Sequence, residues 1–237
     1  MPTIAVLGTL DTKGPEHAYV AELIRGRGHK TLLIDTGTGA PPTVEPDLSR
    51  EQVAAVGALD LPAMLARSDR GEAVTAMAAA AAKLLGDLAT AGTIQGVISL
   101  GGGGGTAIST TAMRALPIGF PKVMVSTLAA GNIAPYVGTK DIVMIPSIVD
   151  ISGLNRLSRV LLARAAGAIC GMVEMEPVTG VDKPLICASM FGNTTDCVNA
   201  AKQILEDAGY EVLVFAATGT GGRIMESLIE SGMIAGV

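Results

Sequence analysis

Five short apolar runs confine most of this chain to one class of fold: Thr3-Ile4-Ala5-Val6-Leu7, Thr31 to Ile34, Gln95 to Leu100, Lys122-Val123-Met124-Val125 and Ile142-Val143-Met144-Ile145. None alternates strictly between apolar and polar residues, so each reads as a strand covered on both faces, the situation of a parallel sheet between helical layers. Helical periodicity fills the gaps. Pro15 suits a first helical position, Val20, Leu23 and Ile24 share a face, and Gly26 and Gly28 end that helix. An Ala-rich stretch from about Asp69 to Ala91 predicts the longest helix, with Met77, Leu84, Leu85 and Leu88 available to the core. Ser49 with Gln52 is a capping box, and Leu154, Leu157, Leu161, Ala165 and Ile169 lie at helical spacing within 153–175. Residues 36–48, with three prolines, are expected to be irregular. Strands alternating with helices predict an α/β fold, a doubly wound parallel sheet of Rossmann-like type. Aromatic residues make up 3% and Trp is absent, so the core must come from Ala, Val, Leu, Ile and Met.

Residues 1–178 read as one α/β domain. After Glu176-Pro177-Val178-Thr179-Gly180 the pattern restarts: a strand at Pro184 to Ser189, the loop Phe191 to Asp196, a helix from Cys197 to Ala208, and a strand at Glu211 to Phe215. Thr218-Gly219-Thr220-Gly221-Gly222 opens another helix. Two strands are too few for an independent parallel sheet. Residues 179–237 are therefore expected to be an incomplete second α/β domain, and the chain a fragment of a longer protein.

The run Gly101-Gly102-Gly103-Gly104-Gly105-Thr106 lies between the third strand and a helix. Successive glycines bare the backbone N–H groups, and the helix start adds its positive dipole end, so the expected occupant is an anion such as phosphate. Doubly wound sheets bind ligands where the strand order reverses, commonly between the first and third strands. That topology sets the glycine run opposite Gly8-Thr9-Leu10-Asp11-Thr12-Lys13-Gly14. There Lys13 offers a point charge, Thr9 and Thr12 hydroxyls, and Asp11 a carboxylate for Mg²⁺. Asp35 is the candidate for holding a ribose, and Ser126, Thr127 and Asn132 follow from the neighbouring strand. No acid occurs from Leu88 through Lys140, while Arg114, Lys122 and Lys140 do, which favours an anionic ligand.

Several signatures are absent. There is no GxxxxGK[ST], no G-x-S-x-G, and no acid about 20 residues beyond the weak G-x-G-x-x-A formed by Gly102, Gly104 and Ala107. Cys170, Cys187 and Cys197 lack metal-ligand spacing and read as buried thiols, and with only His17 and His29 neither a zinc site nor a His-rich metal site is expected. Asp141, Asp150 and Asn155 either line the cleft mouth or serve as surface and capping residues. Arg156, Arg159 and Arg164 form either a solvated face or a phosphate or subunit contact. The net charge of −5 gives no general attraction for nucleic acid or membrane. With no charged leader and no apolar run of about 18 residues, a cytoplasmic chain is expected.

Taken together and in this order, five stretches are specific. They are 8–14, the glycine run 101–106, Ile148 to Asn155, Phe191 to Thr195, and Thr218 to Gly222. Through them the chain resembles, over its whole length, the bacterial proteins similar to the ATP-binding domain of the tomato mosaic virus resistance protein. The resemblance implies an ATP-binding first domain, a second α/β domain and a homodimer. The expectation is an ATP-binding protein, with Mg²⁺ accompanying the nucleotide, acting as a regulatory or dimer-forming module. Two alternatives stay open: an enzyme acting on a small phosphorylated or carboxylated metabolite, and a weak ATPase or phosphotransferase.

Overall fold

The structure, a computed structural model, describes residues 1–176, 180 and 182–237. It forms two compact units, Met1–Glu176 and Pro177–Val237. Of the stretch expected to separate domains, Pro177, Val178 and Thr179 lie outside the described residues.

In the first unit the chain runs β1 (Thr3–Gly8), α1 (Leu10–Gly26), β2 (Lys30–Asp35), α2 (Arg50–Val56), α3 (Leu61–Ala66), α4 (Arg70–Thr90), β3 (Gly96–Gly101), α5 (Gly103–Arg114), β4 (Lys122–Ser126), α6 (Ala134–Val137), β5 (Val143–Pro146) and α7 (Arg156–Glu174). The sheet is parallel with order β2-β1-β3-β4-β5, and Ile4 pairs with Gly96 across the β1/β3 junction where the order reverses. This is the doubly wound Rossmann-like arrangement expected from the apolar runs. Residues along β1 alternate between two cores: Ala5 and Leu7 pack with α2, α3, α4 and α5, while Ile4 and Val6 pack with α1 and α7. A strand buried on both faces cannot carry polar residues at every second position, which is why its sequence is continuously apolar.

Helix starts match their capping chemistry. Ser49 and Gln52 form the reciprocal box at α2, and Asp69 accepts from Glu72 N at the head of α4. Helix α3 was not expected; Asp60 caps it and Pro62 sits in its first turn. In α7 the buried face is Leu162, Ala165, Ala166, Ile169 and Cys170, whereas Leu157 is 54% exposed, so the expected stripe is rotated. Asn155 caps this helix, and Arg156, Arg159 and Arg164 are exposed. Helix α4 is long and apolar enough to cross a membrane by length and composition, contrary to the expectation that no such run exists. Its Met77, Ala81 and Leu85 are nonetheless buried in the core beside α5.

The second unit holds β6 (Leu185–Met190), a 3₁₀ turn over Gly192–Thr194, α8 (Thr195–Asp207), β7 (Glu211–Ala216), α9 (Gly221–Glu230) and β8 (Ile234–Gly236). Its sheet order is β7-β6-β8, all parallel. The sequence reading missed β8, whose three residues are too few to show a pattern. Cys187 is buried here and Cys197 is exposed, so the buried-thiol expectation holds for Cys170 and Cys187 only.

Lys122 departs most from its expected role. It opens β4, at the end of the sheet away from the strand C-termini, and its side chain is fully buried. The ammonium donates to Pro117 O at 2.7 Å and Phe120 O at 2.8 Å, and pairs with Asp141 Oδ1 at 2.7 Å. Burial pulls its pKa down and the Asp141 carboxylate opposes that fall. Lys122→Ala is expected to lower the unfolding free energy by about 3 kcal/mol, read as a fall in the urea midpoint, because two carbonyls and a carboxylate lose their donor. A change below about 0.5 kcal/mol would show that the lock contributes nothing.

Candidate functional site

The end of β3 folds tightly onto the start of α5. A Cβ at Gly101 would lie 2.7 Å from Thr106 N, so this glycine is required by the close approach of helix to strand. The next four are not. A Cβ on Gly103 would meet nothing within 4 Å, one on Gly104 would be 3.6 Å from Arg70 Nη2, and one on Gly105 3.8 Å from Thr9 Oγ1. The helix begins at Gly103, three residues earlier than expected, with Gly102 as an N-cap that has no side chain to offer. Thr106 N is the first to find its acceptor, Gly102 O at 2.8 Å. The N–H groups of Gly103, Gly104 and Gly105 are thus left without intrahelical partners at the positive end of the helix.

These donors line a cleft of about 620 Å³. Helix α1 enters from β1, and its start is helical from Leu10 where a loop was expected, with a kink at Lys13 (φ −134°, ψ 27°). Thr9, Asp11, Thr12 and Lys13 line the cleft with Gly102 to Gly105, so the two unusual segments do face each other. Asp11 Oδ2 accepts from Gly39 N at 2.9 Å, and Lys13 Nζ donates to Ile151 O at 2.5 Å. Opposite stands Arg70, whose guanidinium has no acceptor among the described residues. Met64, Leu65, Val74 and Ile108 make an apolar wall.

Other expected site residues support the cleft from behind. Asp35 does not line it: fully buried, it accepts from Leu10 N at 3.1 Å and Gly37 N at 2.8 Å. It therefore holds the start of α1 and is not placed to hold a ribose, and burial pushes its pKa up. Ser126 Oγ and Thr106 Oγ1 are 2.7 Å apart, both buried, tying β4 to α5. Asn132 accepts from Ala134 N and lines no recess described here. Thr127 lines a separate recess. Gly8 is required by His17, since a Cβ there would fall inside the imidazole. The Nδ1–H of that ring donates to Lys13 O at 2.6 Å, while Nε2 accepts from Leu100 N at 3.3 Å.

Two cations of the acid-free stretch serve the fold instead of the cleft. Arg114 donates to Tyr136 O, Lys122 is locked to Asp141, and neither lines the cleft. The cations that do are Lys13 and Arg70. Sequence reasoning missed Arg70 and the apolar wall because the start of α4 carries an ordinary cap, Asp69, and nothing local says that it crosses the start of α5. No cluster of three or more His, Cys, Asp or Glu forms a metal site among the described residues. Asp11 with Thr12 could reach a Mg²⁺ ion carried by a phosphate, in its usual water-rich shell.

The N-terminal domain of an uncharacterised protein family, UPF0261, matches residues 2–178, and the C-terminal domain of the same family matches residues 183–237. A UPF0261 protein of Clostridium tetani is 51% identical over 99% of this chain and 58% of its own length. Two Solanum lycopersicum proteins align with the whole chain over 34% of their own length: the ToMV susceptible protein tm-1(GCR26), 37% identical, and the ToMV resistance protein Tm-1(GCR237), 38% identical. The chain thus spans 58% of the bacterial relative's length and about a third of the two plant proteins'.

Proposed function

We propose for this chain, which belongs to the uncharacterised protein family UPF0261, that its first unit binds a nucleotide, ATP with Mg²⁺, in the cleft between α1, α4 and α5. One observation carries the reading. Gly103, Gly104 and Gly105 line the cleft with three N–H donors that lack intrahelical acceptors, at positions where packing asks for no glycine, and Arg70 and Lys13 line the same cleft. A phosphate chain satisfies those donors and the charges of Arg70 and Lys13. The apolar wall favours a nucleotide over a small phosphorylated or carboxylated metabolite, which would leave the partly exposed Leu65 and Val74 uncovered. A nucleotide base would cover them. The chain then acts as a nucleotide-holding module, with self-association as the accompanying proposal.

Mg-ATP should raise the melting temperature, by the equivalent of about 2.7 kcal/mol at a hundredfold excess over Kd. Arg70→Ala should weaken ATP by about tenfold, one charge-assisted hydrogen bond, and leave the free chain's melting point unchanged because Arg70 holds nothing in place. A small phosphorylated acid that shifts melting where ATP does not would defeat the nucleotide in favour of the metabolite.

A further inference from the structure

Beside the glycine helix lies a second recess, of about 450 Å³, at the C-terminal ends of β4 and β5. It opens on the same rim of the sheet as the first cleft, the rim on which doubly wound folds bind their ligands. The two adjoin at Gly102, which lines the first cleft and whose nearest neighbour, at 3.8 Å from its Cβ position, is the hydroxyl of Thr127 in the second. Neither Thr127 Oγ1 nor the exposed Asp150 carboxylate has a partner among the described residues.

The wall of the recess is hydrogen-bonded and strained. Val149 N donates to Ser147 O at 2.7 Å and Ser147 Oγ to Val149 O at 2.6 Å, which folds Ile148 into a γ-turn at φ +64°. A β-branched residue rarely adopts positive φ, and such strain persists where a surrounding structure imposes it for use. The turn leaves Ile148 74% exposed, an apolar surface with no packing role. Beyond it the loop is tied to α1, the helix that starts at the first cleft: Lys13 holds Ile151 O, and buried Glu16 accepts from Gly153 N.

We infer that this recess holds a second reactant, a small uncharged compound bearing hydroxyl groups, and that the paired sites transfer a phosphoryl group to it. The inference rests on the nucleotide reading of the first cleft. Among the described residues no Lys, Arg or His lines the recess, so an anionic acceptor finds no counter-charge, while Pro146, Ile148 and Val149 cover a short carbon skeleton. Thr127 hydrogen-bonds the acceptor and Asp150 takes its proton. In the step, the acceptor oxygen attacks the γ-phosphorus as its proton passes to the Asp150 carboxylate. The bond from the γ-phosphorus to the β,γ-bridging oxygen breaks, and ADP leaves with that oxygen. Asp150 is then the catalytic base, which no motif in the sequence identifies.

The test uses the full chain, Mg-[γ-³²P]ATP, and glycerol as the probe, with labelled products separated and ATP binding followed in parallel by melting. Glycerol phosphate should form, and Asp150→Asn should slow its formation on the order of 100-fold, the usual worth of a general base, with the ATP-dependent melting shift intact. Thr127→Val should raise the KM for glycerol about tenfold, one hydrogen bond's worth, and leave kcat nearly unchanged. An intact ATP shift with no glycerol phosphate above a protein-free control overturns the inference, as does wild-type transfer by Asp150→Asn. Absence of the ATP shift itself removes the nucleotide reading and this inference together.

Discussion

Replacing Gly104 by alanine is expected to raise the melting temperature of the free chain and to remove most of its response to Mg-ATP. The two effects have opposite signs because the glycine serves only the ligand. Gly104 sits in the first turn of α5 with no positive φ, and an added Cβ comes no closer than 3.6 Å to Arg70 Nη2. Alanine therefore fits, and it should stabilise the helix by about 0.5–1 kcal/mol through its lower unfolded-state entropy. The same methyl group occupies the surface on which the phosphate must settle and lifts it from the N–H groups on either side. Loss of two charge-assisted hydrogen bonds corresponds to on the order of 100-fold in affinity. Gly101→Ala is the contrasting control: its Cβ would meet Thr106 N at 2.7 Å, so it should unfold the chain at lower temperature. Differential scanning fluorimetry of both variants with and without Mg-ATP distinguishes the roles. A Gly104→Ala chain that still responds to ATP as the parent does would remove the phosphate from the head of α5.

What could be read in the sequence was whatever is encoded over short distances. The continuous apolar strands, the Ser49–Gln52 box and the Asp69-to-Ala91 helix are each written in neighbouring residues, and each stands where it was expected. The switch-point rule then brought residues 9–13 and 101–105 together, because strand order follows from the βαβ handedness that burial imposes. The direction in which a side chain points has no such local signal. Asp35 and Ser126 end their strands as cleft residues should, yet each turns inward to cap or tie a neighbouring element. Arg70 reaches the cleft only because α4 crosses α5, a long-range fact. The glycine run shows both cases side by side, since Gly101 is demanded by packing and Gly103 by nothing in the protein.

His17 should make the chain acid-sensitive well above the range in which its carboxylates titrate. Its imidazole is fully buried beneath Gly8, with one nitrogen donating to Lys13 O and the other accepting from Leu100 N. Acceptance at Nε2 requires the neutral ring with its proton on Nδ1, so protonation turns Nε2 into a second donor facing the Leu100 N–H. Burial, helped by the nearby Lys13 charge, holds its pKa below the ordinary 6.5, against the opposing pull of Lys13 O, Glu16 and the Leu7 backbone. A group whose folded pKa is depressed in this way binds protons more readily in the unfolded chain. Stability is therefore full above pH 6.5 and falls as the pH drops below it, by about 1.4 kcal/mol per unit until the folded-state pKa is reached. Asp35 acts in the opposite sense: its raised pKa favours the folded state once it protonates, which offsets part of the loss at lower pH. Glu174 and Asp141, both depressed, add their losses only in the carboxylate range. Urea unfolding of the parent should show a midpoint that declines between pH 7 and pH 5, whereas His17→Gln should start lower and stay nearly flat across that interval. Because the same ring joins the kink of α1 to the residue before the glycine run, ATP affinity should decline over that interval in the parent and not in the variant. Equal slopes in the two chains would mean that the neutral imidazole is not what holds these segments in register.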